Sequence, residues 1–261
     1  MTSQLTAMRD RLAGRRLARP GPAHVIAFAS GRGGAGVSLL AATAAVRSAQ
    51  AGMRTLLVDA DSWLDVQRVW FGLDRSRTLS DLATGVDPEQ LVQSVHGSLE
   101  LVSFAAPDLS PQEGRALARR VVPLFQQRDV VVVDAGSRLE AVESALDLSV
   151  GSIVAVSGAD AIGLAATHAL LKAVQARAEF MPSVLFNRAQ PQSVNKAEQV
   201  LREGVRRFLD AEVNIVGTLV PDPQLVDGLR DEALLAERLA ASNLLATMVP
   251  LMKRMRPWRS S

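Results

Sequence analysis

The chain has no cysteine. That excludes disulfides, thiol catalysis and cysteine-built metal sites, and it is compatible with a cytoplasmic home. Histidine is limited to His24, His96 and His168, which lie far apart without ligand spacing and read as ordinary structural or surface residues. Aromatic residues make up only 4% of the sequence. The grouping of Trp63, Trp70 and Phe71 therefore stands out, either as a dimer or partner face or as satellite core. No unbroken apolar run reaches the length of about eighteen residues that a membrane-spanning helix needs. Arg9, Arg11, Arg15, Arg16 and Arg19 precede the first apolar stretch without the apolar core of a signal peptide, so secretion is not expected. Charge is nearly balanced, with a net of +2. That gives no general case for nucleic-acid binding, although arginines gather at both ends.

With 261 residues, 48% of them apolar and 21% charged, the chain can bury a full core as one large α/β domain. Its organising stretch runs from His24 to Val46. His24 to Ala29 is short, apolar and β-branched enough for a buried strand, and Leu39 to Val46 continues as an alanine-rich helix. Between them, glycines at 31, 33, 34 and 36 allow positive φ and leave no side chain between the peptide N–H groups and an anion. The first turn of the helix adds unpaired N–H groups and the positive end of its dipole. Strand, glycine loop and helix form the context of a phosphate-binding loop; a plain tight turn is the alternative.

Arg32-Gly33-Gly34-Ala35-Gly36-Val37-Ser38 resembles the deviant Walker A loop of the MinD/ParA family of P-loop ATPases, Lys-Gly-Gly-x-Gly-Lys-Ser/Thr. The resemblance implies a doubly wound, mostly parallel sheet with helices on both faces, and ATP or ADP with magnesium as cofactor. It places Gly31, Arg32, Gly33, Gly34, Ala35, Gly36, Val37 and Ser38 around the phosphates. Ser38 matches the magnesium-binding hydroxyl. Arg32 stands at the signature lysine that reaches a partner's phosphates in a sandwich homodimer, and Val37 stands where the phosphate-gripping lysine belongs. Losing a charge-assisted hydrogen bond of about 1.5–3 kcal/mol weakens binding roughly ten- to a hundred-fold. Hydrolysis should suffer more, because a buried cation helps most where negative charge shifts in the transition state.

Further stretches carry the same likeness. Arg54 to Asp61 reads as a strand delivering two carboxylates at its end, where open parallel sheets place ligands. By resemblance Asp61 is the catalytic aspartate that orients water, with Arg32 the other charged group of the chemistry and Asp59 nearer the metal; a turn-starting pair of aspartates is the alternative. Four valines before Asp134 require burial on both faces, as in a central parallel strand. Asp134 matches the Walker B aspartate, so the implied metal set is Ser38, Asp59 and Asp134. Ala135-Gly136-Ser137 corresponds to switch II without the family's proline. Asn187-Arg188 resembles the adenine-contacting asparagine, with turn chemistry as the alternative. Pro221-Asp222 resembles the segment that closes over the base.

The remaining periodicity predicts small helices at 78–85 and 88–95, a strand at 99–104 and a helix at 111–127. In that helix Leu117, Val121 and Leu124 point inward and Arg115, Arg119 and Arg120 face solvent. Strands at 152–156, 182–188 and 213–222 alternate with helices at 161–178 and 194–209. The expected organisation is an amphipathic helix within 1–19, a linker at 20–23, the P-loop domain at 24–256 and a basic tail at 257–261.

Leu5, Met8 and Leu12 share a stripe of the first segment, which either docks on a partner or folds back on its own domain. Ser3 to Arg9, with Gln4, Leu5, Met8 and Arg9 as the partner-binding set, is similar to the helix with which the FlhG branch engages the SRP-type GTPase FlhF. The terminal helix at 241–255 reads as core; membrane-surface contact through its basic end is the alternative. Three functions fit: a cytoplasmic FlhG-like regulator of flagellar number with crippled ATPase chemistry, acting at the inner membrane or cell pole; a working ATPase in which Arg32 supplies the cation; and a ParA-like or pilus-localising scaffold that binds DNA or a polar landmark.

Overall fold

The computed structural model describes residues 23–61, 65–74, 77–106, 108–148, 150–178, 180–222, 235, 239 and 243–254. The segment with Gln4, Leu5, Met8 and Arg9, Trp63, and the basic tail lie outside them.

β1 (His24–Ala29) leads through the glycine loop into α1 (Val37–Gln50) and on to β2 (Thr55–Asp59). A short α2 (Val66–Trp70) and two short 3-10 helices, Leu79–Thr84 and Pro88–Leu91, precede the hairpin of β3 (Gln93–His96) and β4 (Leu99–Ser103). Then follow α3 (Pro111–Arg119), β5 (Val130–Asp134), α4 (Leu139–Asp147), β6 (Ser152–Ser157) and α5 (Ala161–Gln175). β7 (Ser183–Phe186), α6 (Pro191–Leu209), β8 (Ile215–Thr218) and α7 (Leu244–Arg254) complete the described elements.

These strands form one eight-stranded sheet in the order β3-β4-β2-β5-β1-β6-β7-β8. Every pairing is parallel except β3 with β4. Side chains alternate across a strand, and β1 shows it: Val25, Ala27 and Ala29 join one apolar cluster, Ile26 and Phe28 the other. The first cluster holds the inner faces of α4, α5 and α6; the second holds α1 and α7. The expected doubly wound, mostly parallel architecture is present, with the valines of β5 fully enclosed at its centre.

Several local expectations change. The helix expected over 111–127 stops at Arg119 and resumes as a 3-10 turn at Val122–Gln127. Pro123 has no N–H to give and its ring meets the carbonyl four residues back. Arg115 and Arg119 are not merely solvated: Arg115 pairs with Glu143, and Arg119 meets Asp147 at 3.1 Å, so they tie α3 to α4. Residues expected to be helical up to Val95 instead form the edge strand β3, because Gly97, at φ 57°, turns the chain tightly enough to pair with β4. Conversely, 63–77, expected to be irregular, contains α2. α7 buries Met248 and Leu251 against the face that carries α1, as the core reading of this helix requires. Among the described residues no helix is long and apolar enough to cross a membrane.

Candidate functional site

The loop between β1 and α1 lies at the carboxyl ends of the central strands, held from three sides. Ser30, itself buried, donates its hydroxyl to the Val156 carbonyl at 2.8 Å and its N–H to Gly136 O at 2.9 Å. From the end of β7, Asn187 donates its amide to Ala35 O at 2.8 Å, and the Arg188 guanidinium reaches Gly34 O. Gly36 caps α1 in the left-handed region, at φ 91°, and a methyl there would stand 2.5 Å from the Asn187 amide nitrogen. α1 has no side-chain cap and no acidic residue in its first turn, so the positive end of its dipole is left for an anion.

A cavity of about 440 Å³ opens over this loop. Its walls include Arg32 to Ser38, Asp61, Gly136, Asn187, Arg188 and Asp222, with Trp70 and Leu244 supplying apolar surface. The expected phosphate and base residues are thus brought together, except that Gly31 and Pro221 are exposed and outside the lining. The two charged positions of the loop behave differently. Val37 is buried in the apolar cluster with Leu40 and Ala41. Arg32 turns to the rim, where it grips Asp160 with two bonds of 3.1 and 2.8 Å. Asp160 also caps α5 by accepting the Gly163 N–H. The pair is about half exposed, 36% and 51%, so it contributes no more than about 1 kcal/mol and is easily exchanged for another anion.

Parallel pairing sets Asp59 directly beside Asp134 at the ends of β2 and β5. Both are fully buried. Asp59 accepts the N–H groups of Asp61 and Gln67, each at 3.2 Å; Asp134 accepts the Gly136 N–H at 3.1 Å and the Gln67 amide at 2.8 Å. Asp61 stands over Gly136, whose missing side chain would come 3.1 Å from its carboxylate. Ser38 also bonds Asp134. Ser38, Asp59 and Asp134 therefore meet as an all-oxygen set, the chemistry magnesium prefers. Gln67 stands among them, and sequence reasoning missed it: nothing in the run around it marks a glutamine that turns inward.

Burial first, and then the neighbouring Asp134 charge, hold the Asp59 carboxyl well above its usual range. Burial raises Asp134 too, against the hydrogen bonds it accepts from Gln67, Ser38 and Gly136. Both carboxyls hold protons more tightly in the folded than in the unfolded chain. Their contribution to stability is therefore full at acid pH and is lost as pH rises through their raised values. Urea unfolding of the wild type, compared with Asp59→Asn, should show the wild type losing stability relative to the variant as pH rises above the ordinary carboxylate range, about 4. Parallel curves would mean that Asp59 ionises freely.

No protein-family model matches the chain. It is 24% identical over 246 residues to the antiactivator FleN of Pseudomonas aeruginosa, covering 91% of this chain and 88% of FleN. It is 24% identical over 219 residues to the septum site-determining protein MinD of Thermotoga maritima, covering 77% and 76%. Its fold superposes on MinD of Pyrococcus horikoshii, solved with Mg-ADP, at a TM-score of 0.68 and 17% identity, over 89% of this chain and 95% of the other. By strand order, by the loop that opens α1 and by these likenesses, the chain is a relative of MinD and FleN built on the MinD/ParA-type P-loop fold.

Proposed function

We propose that this protein is a nucleotide-binding regulator of the FlhG kind, setting the number or place of a flagellum or other polar organelle through protein contacts, with hydrolysis weak or lost. The observation that carries the reading is the state of the loop's two key positions: Val37 is packed into the apolar cluster and Arg32 is engaged by Asp160. The likeness to FleN along 91% of the chain supports the regulatory role. The cavity suits the phosphates and base of ADP or ATP through the loop N–H groups, Asn187, Arg188 and Asp222. Because phosphoryl transfer depends on charge stabilisation more than on covalent help, a loop whose position 37 is apolar and whose Arg32 is paired with Asp160 binds better than it catalyses. With Arg32 at the rim, a second copy facing this surface would meet a guanidinium that Asp160 can release, which suits a nucleotide-dependent homodimer.

Two measurements test the reading. Phosphate release in the presence of magnesium should fall far below about 1 s⁻¹, the slow end of ordinary enzymes; turnover at or above that rate would favour Arg32 as a working cation. Deleting residues 1–19 should abolish association with an FlhF-type GTPase while the fold, followed by circular dichroism, is kept. Unchanged association would remove the flagellar assignment, and salt-sensitive DNA binding would favour the ParA-like scaffold.

A further inference from the structure

Gln67, on α2, is fully buried and ties the site together. Its amide nitrogen spends both protons, one on Asp134 Oδ2 at 2.8 Å and one on the Ser38 carbonyl at 2.9 Å. Its main-chain N–H donates to Asp59 Oδ2 at 3.2 Å. One residue thus serves both carboxylates that parallel pairing sets side by side, and fastens them to the first turn of α1. The direction of the amide follows from its partners: reversed, Oε1 would face the Ser38 carbonyl, acceptor against acceptor. As placed, Oε1 is buried without a hydrogen-bond partner. A buried acceptor left unpaired is costly and is kept where the rest of the side chain is needed.

Drawing the Ser38 turn and the Asp134 carboxylate together is the structural task of a divalent cation in a phosphate-binding loop. Here an uncharged amide performs it. One of its protons occupies a lone pair of Asp134, and the amide presents the positive end of its dipole to any cation that would approach from that side. Magnesium needs oxygen ligands at about 2.0–2.1 Å in near-octahedral array.

We propose that Gln67 takes the cation's structural place, so that this protein binds a nucleotide without depending on magnesium. The inference rests on the reading of the loop as a nucleotide cradle. It also requires that removing the amide reopen the corner to a cation, since Ser38, Asp59 and Asp134 then keep their oxygens and lose the competing donor.

The experiment has two arms, each run on the full chain and on Gln67→Ala, with circular dichroism confirming that the variant folds. In the first, a fluorescent ADP analogue is titrated by polarisation in magnesium and in EDTA. The wild-type dissociation constant should change by less than about twofold between the buffers, and that of Gln67→Ala by about tenfold or more. A wild-type constant at least about tenfold weaker in EDTA would overturn the proposal. In the second arm Mn²⁺ alone is followed by its free-ion electron paramagnetic resonance signal. The wild type should leave the signal intact and Gln67→Ala should quench it. Quenching by the wild type, or by neither protein, would overturn the proposal. If Gln67→Ala fails to fold, Gln67→Ser, which shortens the side chain while keeping it polar, takes its place under the same criteria. Absence of analogue binding in both buffers would count against the cradle reading itself, while the Mn²⁺ arm would still decide the role of Gln67.

Discussion

Gly31→Ala is expected to unseat the phosphate loop and to lower the melting temperature by several degrees. A methyl at residue 31 would stand 2.0 Å from the Ala166 carbonyl oxygen and 2.4 Å from its carbon, both backbone atoms of α5. A flexible side chain could swing away from such a contact, but a carbonyl inside a 15-residue helix cannot. Either the loop lifts or α5 moves off the sheet, and Leu170, Leu171 and Val174 on α5 are buried. Forced overpacking of this kind costs about 3 kcal/mol, which for a chain of this size lowers the midpoint by roughly 6–12 °C. Nucleotide-analogue binding should be lost with it. Gly34→Ala is the control: its methyl meets nothing within 4 Å, and only its φ of 74° is unfavourable, a strain of about 1–2 kcal/mol. If differential scanning fluorimetry gave both variants the same midpoint, the close approach of loop and α5 would be wrong and only local backbone strain would matter.

Val37→Lys is expected to tighten binding of an ATP analogue roughly ten- to a hundred-fold, the value of one charge-assisted hydrogen bond of about 1.5–3 kcal/mol. Val37 opens α1, is 6% exposed and borders the cavity beside Ser38. A lysine stem can follow the apolar wall while its ammonium enters the cavity. Loss of the branched side chain from the cluster with Leu40 and Ala41 should cost about 1–2 kcal/mol of stability. The nucleotide-free variant should therefore melt lower, and the loaded variant should recover. The comparison also isolates Arg32. If Arg32 left Asp160 to serve the phosphates, a second cation would add less than about twofold in affinity, and Arg32→Ala would weaken the wild type instead. Analogue affinity measured for both variants separates the two accounts.

Much of the site was legible because its chemistry is written in contiguous runs. The loop from Gly31 to Ser38 and the carboxylates closing β2 and β5 each follow an apolar strand, and in a parallel sheet such strand ends gather at one edge. What was missed involves residues whose meaning depends on a distant partner. Gln67 reads as one polar residue in an irregular run, yet it contacts Ser38 and Asp134, 29 and 67 positions away. Arg32 reads as a group for phosphates and lines the cavity, but its bond to Asp160, 128 positions away, is not visible in the sequence. β3 read as part of a helix because its four residues carry too short a pattern to fix a period.

The sequence alone determined the doubly wound order and the phosphate-loop context, because burial on both faces demands unbroken apolar strands and a turn with positive φ demands glycine. It also determined that an aliphatic residue, Val37, opens α1, since a residue's identity is visible wherever the chain folds. Only the tertiary structure decided where the remaining donors point. A hydrogen bond forms between groups that the fold brings within about 3 Å, and linear order does not encode that proximity. Thus Asn187 and Arg188 reach the loop carbonyls and Gln67 joins the two buried carboxylates, and Arg32 is drawn to the cap of α5.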